Sequence, residues 1–364
     1  MWRLCGIVLV ALSAVTAFSP AALAGDGAGG PTAKDVSLEE CRELALKCCA
    51  SVLLATNAVK DAELALAQTE ATNLTKPSPT SVYQARMNLT VAQKNLEIAK
   101  QDVVLSTDQQ YYSLLRAEHL VSISEQALAL SERQLEIATA KEKVGMATKL
   151  DIIRAENQVA SARNSLDSAI LNRDLAMATL NQAIGLPPEK TILRLRDEFS
   201  YEKTGDLDVE ASIEFALANR VEIAQNQSAV EIADMNVNLA DNDFTPRLTY
   251  ERARLAADDA RVRLADQRNK IALAVRQAYV SLKQAEAKVE LAAKKVKEAE
   301  ENLRVTGLLF EADMATNLDV LTAQNQYTQS QIDAVQAIYD YNVARSQFKR
   351  AIGDTSGENG GTAS

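Results

Sequence analysis

The chain has 364 residues, a formal net charge of -10 at pH 7 and only 4% aromatic residues. Glycine and proline are scarce, whereas Ala, Leu, Gln, Glu and Lys are abundant. This composition is typical of long helices and coiled coils, and not of ordinary globular domains. The acidic balance gives no electrostatic footprint for binding nucleic acid.

Residues 1–24 predict a secretory signal: Arg3 precedes an apolar stretch at 6–18, and small residues occupy positions 22 and 24. We therefore expect an exported protein of the cell outer membrane, periplasm or cell envelope, with a flexible leader at 25–36. The rest of the sequence has no apolar run of about 18 residues, so it predicts no membrane-spanning helix.

Long helices are predicted along the rest of the chain. A capping box at Ser37 and Glu40 begins a helix expected from about 38 to 73, which prolines at 77 and 79 end. Residues 80–144 contain neither glycine nor proline, and as one helix they would be roughly 95 Å long. Gly145 ends this rod. The next helix, 148–184, has the heptad spacing of a coiled coil.

The second half of the sequence repeats the first, and residues 109–185 recur as 277–353 without a gap. Asp151 recurs as Asp319, 168 positions later, and the neighbouring Asn157-Gln158 recurs as Asn325-Gln326. A repeat of this length is a duplicated module and not a solenoid unit. We expect a first helical repeat at 37–185, a linker at 186–207 with a short strand near 191–195, and a second repeat at 208–353. The second repeat is expected to hold helices at 208–243, 249–312 and 316–352, before a disordered tail at 354–364.

No pattern in the sequence predicts catalysis. The only histidine, His119, lies within a rod, and no glycine-rich phosphate loop follows a strand. Cys41, Cys48 and Cys49 are interpreted as small apolar residues on one helix face, with an intermolecular disulfide as the alternative in an oxidising compartment. We therefore expect no enzymatic activity, no cofactor and no metal site.

In this order, the motifs resemble those of the TolC family of outer-membrane efflux channels. The resemblance is carried by Ser37-Leu38-Glu39-Glu40, the turn at 144–148, Leu318-Asp319-Val320-Leu321, and the Ala-Ile-Gly triplets at 183–185 and 351–353. It implies an all-α fold of duplicated long-helix hairpins, in which a homotrimer forms a twelve-helix α-barrel. It also implies a periplasmic adaptor (a membrane fusion protein) and an inner-membrane pump or ABC transporter as partners.

The sequence departs from the family at one end. Family members carry long strands that together close a β-barrel, whereas the breaks at 74–80 and 244–248 are tight turns with no room for such strands. The barrel is therefore expected to be truncated or absent, and membrane association stays open.

The resemblance also implies roles for the residues at the helix turns. Asp151 and Asp319 would lie at the channel entrance, with Asp313 on the same rim, and a ring of carboxylates favours cations. Both Thr-x-x-Asp sequences equally predict helix caps, and the two roles are compatible. The adaptor would dock at the tip residues, although a glycine there is also what an ordinary helix hairpin requires: Gly145, Met146, Ala147, Met314 and Ala315.

The predicted function is a conduit that exports small molecules or proteins within a tripartite efflux or type I secretion system. The alternative is a non-conducting coiled-coil scaffold of the cell envelope. A closed ring with a continuous lumen would distinguish the first from the second. An adaptor-like role is disfavoured because the sequence has no lipoyl-type β domains.

Overall fold

The computed structural model describes residues 32–75, 79–188, 191–197, 199–203, 205, 207–312 and 314–353. The predicted signal peptide, most of the leader, Asp313 and the predicted tail lie outside this range. The described elements, in chain order, are β1 (Thr32–Val36), α1 (Leu38–Cys48), α2 (Ala50–Thr75), α3 (Pro79–Lys143), α4 (Lys149–Ala183), β2 (Thr191–Leu195), α5 (Val209–Asn219), α6 (Val221–Ala240), α7 (Arg247–Glu311) and α8 (Asn317–Ile352).

Two rods, α3 and α7, run the length of the molecule with 65 residues each. Their bounds are close to the predicted 80–144 and 249–312. The rods lack helix-breaking residues in their interiors apart from Gly307, and at 1.5 Å per residue each is about 95 Å long. Helices α2 and α4 pack along α3, and α6 and α8 pack along α7. Each repeat is thus one rod with two shorter helices beside it.

The prediction of one continuous helix from 38 to 73 is wrong, because the helix breaks at Cys49. The backbone there is extended, with φ -68° and ψ 128°, and the second repeat breaks in the same way at Arg220, with φ -68° and ψ 130°. The bend lets α1 bury Cys41 and Ala45 while α2 continues along α3. No glycine or proline marks either break, so local sequence patterns do not encode it.

Part of the predicted flexible leader is also ordered. Residues 32–36 form β1, which pairs in parallel with β2, the strand predicted within the linker. Val36 and Leu193 are buried in the first repeat's core. The Asp197 carboxylate accepts hydrogen bonds from the backbone N–H of Leu38 at 2.8 Å and from the hydroxyl of Tyr111 at 2.7 Å. These contacts hold the start of α1 and the linker against α3.

Each repeat has its own hydrophobic core, the first including Tyr111, Leu114 and Leu180 and the second including Leu282 and Tyr341. The repeats meet mainly where α3 packs against α8. The helices that end at the 144–148 and 312–316 turns therefore form a row in the order α4, α3, α8, α7. In this row α3 and α8 are inner helices, whereas α4 and α7 are the edges.

Among the described residues, no helix combines enough length with an apolar enough sequence to cross a membrane.

Candidate functional site

The candidate site is the end of the molecule where both rods turn back, which we call the tip: residues 144–148 and 312–316, with the first turns of α4 and α8. At the first turn Gly145 has a φ of +76°. The N–H groups of Gly145 and Met146 donate to the carbonyl groups of Glu142 at 2.9 Å and Lys141 at 2.8 Å. A left-handed residue followed by such bonds is a common way to end a helix. Nothing lies within 4 Å of a Cβ built on Gly145, so the backbone angle and not crowding favours glycine.

Asp151 and Asp319 both cap the helices that leave the tip. The Thr148 N–H and hydroxyl donate to one oxygen of Asp151 at 2.9 and 2.7 Å, and the Asp151 N–H donates back to the hydroxyl at 3.3 Å. Thr316 and Asp319 repeat the arrangement, with distances of 2.8, 2.6 and 3.2 Å. These are complete capping boxes, so the predicted capping role is confirmed.

The caps also affect proton binding. Hydrogen bonds from the Thr148 side chain, and then from its backbone, lower the pKa of the Asp151 carboxyl. The same two bonds from Thr316 lower the pKa of the Asp319 carboxyl. Both carboxylates therefore stay charged to lower pH than an isolated aspartate would.

The two turns are joined within the chain by contacts from α3. The Lys141 ammonium donates to the Phe310 carbonyl at 3.0 Å and lies 3.9 Å from the centroid of the Phe310 ring. The Gln134 amide donates to the side-chain oxygen of Asn317. An open cleft of about 650 Å³ lies between the turns, lined by Ala138, Lys141, Met146, Ala147, Asp151, Arg154, Phe310, Ala315, Thr316, Asn317 and Leu318.

The cleft brings together four of the predicted site residues, namely Met146, Ala147, Asp151 and Ala315. The remaining described candidates, Gly145, Met314 and Asp319, lie at the tip outside the cleft lining. Asp313, the third predicted entrance carboxylate, lies outside the described residues, so the structure gives no account of it.

Sequence reasoning missed Gln134, Lys141, Phe310 and Asn317, which join the turns. The available signal was the difference between repeats, because Asn317 stands where the first repeat has Lys149. This difference shows that position 317 is unusual, but it does not identify Gln134 as the partner of Asn317, because the two residues are far apart in sequence.

The tip exposes a group of apolar side chains beside its capping carboxylates. Val144, Met146 and Leu150 on the first turn are more than half exposed, as are Met314 and Leu318 on the second. Single exposed apolar side chains are ordinary, whereas a group at one end of a molecule is typical of an interaction site.

The two edge helices also expose apolar side chains whose counterparts in the other repeat are buried. Leu321 on the inner helix α8 is 7% exposed, whereas its counterpart Ile153 on the edge helix α4 is 52% exposed. Ile123 on the inner helix α3 is 8% exposed, and its counterpart Leu291 on the edge helix α7 is 54% exposed. Equivalent positions thus differ in burial according to whether a neighbouring helix covers them.

The sequence suggested that the three cysteines share one apolar helix face, and the structure shows that they do not. Cys41 is buried in the first core, whereas Cys48 is exposed and Cys49, beyond the end of α1, is half-buried; all three are free thiols. Burial raises the pKa of the Cys41 thiol to about 12, which keeps it protonated and unreactive at neutral pH.

Comparison with known proteins identifies the class to which this fold belongs. A family model described as "Outer membrane efflux protein" matches residues 80–186, which cover α3, the first turn and α4. No curated protein sequence matches the chain.

Several solved structures share the fold. The outer membrane protein VceC from Vibrio cholerae has a TM-score of 0.68 at 16% identity, over 87% of this chain and 96% of that chain. The CmeC outer membrane channel of Campylobacter jejuni has a TM-score of 0.70 at 14% identity, over 87% and 85% of the two chains. The open-state MtrE outer membrane channel of Neisseria gonorrhoeae has a TM-score of 0.68 at 15% identity, over 87% and 88%.

The chain therefore has the all-α fold of TolC-type channel proteins, and within 80–186 it matches the outer membrane efflux protein family. The resemblance is confirmed, and so is the all-α fold of long helices predicted from the sequence. The trimer stays a prediction.

Proposed function

We propose that copies of this chain assemble side by side into a closed helical cylinder that serves as the conduit of an efflux or secretion system. The family match and the fold support an efflux channel of the cell envelope or outer membrane. The matched family and the similar structures are channel proteins and not enzymes, which supports a transport role without chemistry of its own.

The observation that carries the proposal is the unequal burial of duplicated positions. On α8, Leu321 is covered because α8 lies between α7 and α3, whereas Ile153 on α4 has a neighbouring rod on one side only. A second copy that placed its α7 against α4 would reproduce the contact of α3 with α8. It would cover Ile153 of one copy and Leu291 of the other together.

This contact joins two different edges, so it is heterologous. Heterologous contacts generate closed rings when the rotation between copies closes, and open filaments when it does not. The resemblance to the TolC family favours three copies, whose six hairpins would make the twelve-helix cylinder. A monomeric scaffold would instead leave both apolar edges in water.

In such a cylinder the tips of all copies meet at one end. We place Asp151 and Asp319 around the entrance, where carboxylates favour cations. The exposed apolar tip, including Met146 and Met314, would receive a periplasmic adaptor that links the conduit to an inner-membrane pump or ABC transporter. Aspartate is already charged at neutral pH, and the lowered pKa of both capping carboxyls extends that charge to more acid pH.

The assembly can be tested with edge substitutions. Ile153→Glu and Leu291→Glu change side chains that are exposed in the single chain. Each variant should therefore keep its helix content, which shows that the chain still folds. Each should lower the mass measured by light scattering to that of one copy, because a charge would be buried at every joint. Leu318→Glu, which changes an equally exposed residue at the tip, is the matched control and should keep the oligomer. Retention of the oligomer by both edge variants would overturn the proposed joint.

A further inference from the structure

One side-chain pair is kept by the duplication on the helices that leave the tip. Asn157-Gln158 on α4 recurs as Asn325-Gln326 on α8. Within the chain the amide nitrogen of Gln158 donates to the side-chain oxygen of Asn325 at 2.8 Å, which joins α4 to α8. One residue of each Asn-Gln pair thus connects the first repeat to the second.

The other two members face outward. Asn157 and Gln326 are both exposed, and the described part of the chain offers neither of them a hydrogen-bonding partner. The repeat offset of 168 relates Gln158 to Gln326 and Asn325 to Asn157. The same bond can therefore form a second time only between Gln326 of one copy and Asn157 of another.

The surrounding residues fit this second bond. Residues four apart share one face of a helix, so Ile153 lies beside Asn157 on α4 as Leu321 lies beside Asn325 on α8. Leu321 is buried and Ile153 is exposed, which makes the α4 edge an uncovered copy of an interface already formed within the chain.

We propose that Gln326 donates to Asn157 of the adjacent copy, so that a Gln–Asn bond crosses every joint of the cylinder, inside and between chains alike. The partner is a second copy of this chain, and the inference rests on the side-by-side assembly proposed above. The bond fixes the register between copies, because a slide of one residue along α4 would turn Asn157 away from Gln326.

Cysteine cross-linking tests this contact. In a background of Cys41→Ala, Cys48→Ser and Cys49→Ser, the double variant Gln326→Cys/Asn157→Cys is treated with a short bismaleimide. The expected product is a covalent ladder that ends at the full ring. Each single variant alone should give only monomers, because a heterologous joint brings the two different positions together. The pair Gln158→Cys/Asn325→Cys is the control, and it should link within one chain.

The outcomes separate the inference from the proposed function. A uniform oligomer in which the control pair links and the 326–157 pair does not would overturn the inference alone. A background protein that is monomeric by light scattering would overturn the proposed function and the inference with it. Self-linking of either single variant would indicate a two-fold joint and would also overturn the inference.

Discussion

The guanidinium of Arg42 donates two hydrogen bonds to the carboxylate of Asp108, at 2.6 and 2.8 Å. Asp108 is almost fully buried, and it also accepts a bond from the hydroxyl of Ser346 at 2.8 Å. The cluster joins α1 and α3 of the first repeat to α8 of the second. Among the residues that the structure describes, the second repeat has no equivalent cluster, because Arg276 stands at the position that corresponds to Asp108.

Removing one partner of this pair should be strongly destabilising. In Asp108→Ala the Arg42 guanidinium loses both hydrogen bonds to the buried carboxylate and keeps only the exposed Glu39 as an ionic partner. We expect this change to lower the free energy of unfolding by about 3 kcal/mol, the lower end of the range for a broken buried pair. The matched control is Arg276→Ala, since Arg276 pairs with Glu210 at 2.9 Å on the surface and should cost less than about 1 kcal/mol. Urea unfolding at one fixed protein concentration measures both. Similar losses in the two variants would contradict the assignment.

The glycines give a second, graded prediction. Gly185 has a φ of +76°, and a Cβ built there would lie 2.6 Å from Cys48 Cβ, so Gly185→Ala adds a steric clash to backbone strain. Gly145 has the same φ but open space around it, and Gly145→Ala should cost only the strain, about 1 kcal/mol. Gly307 lies within α7 with nothing nearby, so Gly307→Ala should stabilise by about 1 kcal/mol. The melting temperature should be lowest for Gly185→Ala, higher for Gly145→Ala and highest for Gly307→Ala. A stabilising effect of Gly185→Ala would be inconsistent with this packing.

The helix caps predict a dependence on pH. Thr148→Ala should lower stability by about 1 kcal/mol, because the first turn of α4 loses its cap. The pKa of Asp151 is lower in the folded chain, so its contribution is present above the ordinary carboxyl value of 3.8 and is lost as the pH falls through the folded value.

The measurement is unfolding by denaturant from neutral pH down to acid. Asp151→Asn should be less stable than the natural chain at neutral pH, and the two should converge in acid. Asp167→Asn, a change at an exposed carboxylate in the middle of α4, serves as the control. A stability difference for Asp151→Asn that does not change with pH would contradict the capping role of the charge.

The sequence was sufficient to predict elements that depend on local signals. Capping boxes begin α1, α4 and α8 at Ser37, Thr148 and Thr316. Left-handed glycines follow the ends of α3 and α4, at Gly145 and Gly185. Elements that depend on distant contacts were missed. The break at Cys49 carries no breaking residue, and β1 needs β2, which lies more than 150 residues away.

The duplication was visible in the sequence, but its structural use was not. Periodicity shows that α4 and α8 are equivalent, whereas only the structure shows that α8 is covered on both sides and α4 is not. The Arg42–Asp108 pair was likewise hidden, because each residue looks like an ordinary charge on a helix surface.

The tip gives a prediction about binding. Met146→Asp or Met314→Asp should weaken the binding of a purified periplasmic adaptor by about tenfold or more, measured by biolayer interferometry. The reason is that each places a charge on the apolar surface where we propose that the adaptor docks. Phe244 is 96% exposed in the turn between α6 and α7, far along the rods from the tip, and Phe244→Asp is the matched control. Loss of binding in the control and not in the tip variants would assign docking to the opposite end.

The most direct test of the assembly is the absolute mass of the protein without residues 1–24, the predicted signal peptide, measured by light scattering with negative-stain imaging of the same fraction. We expect a single species of three copies that appears as a hollow ring end-on and as a cylinder about 100 Å long from the side. A stable monomer in several solution conditions, with no ring in the images, would contradict it.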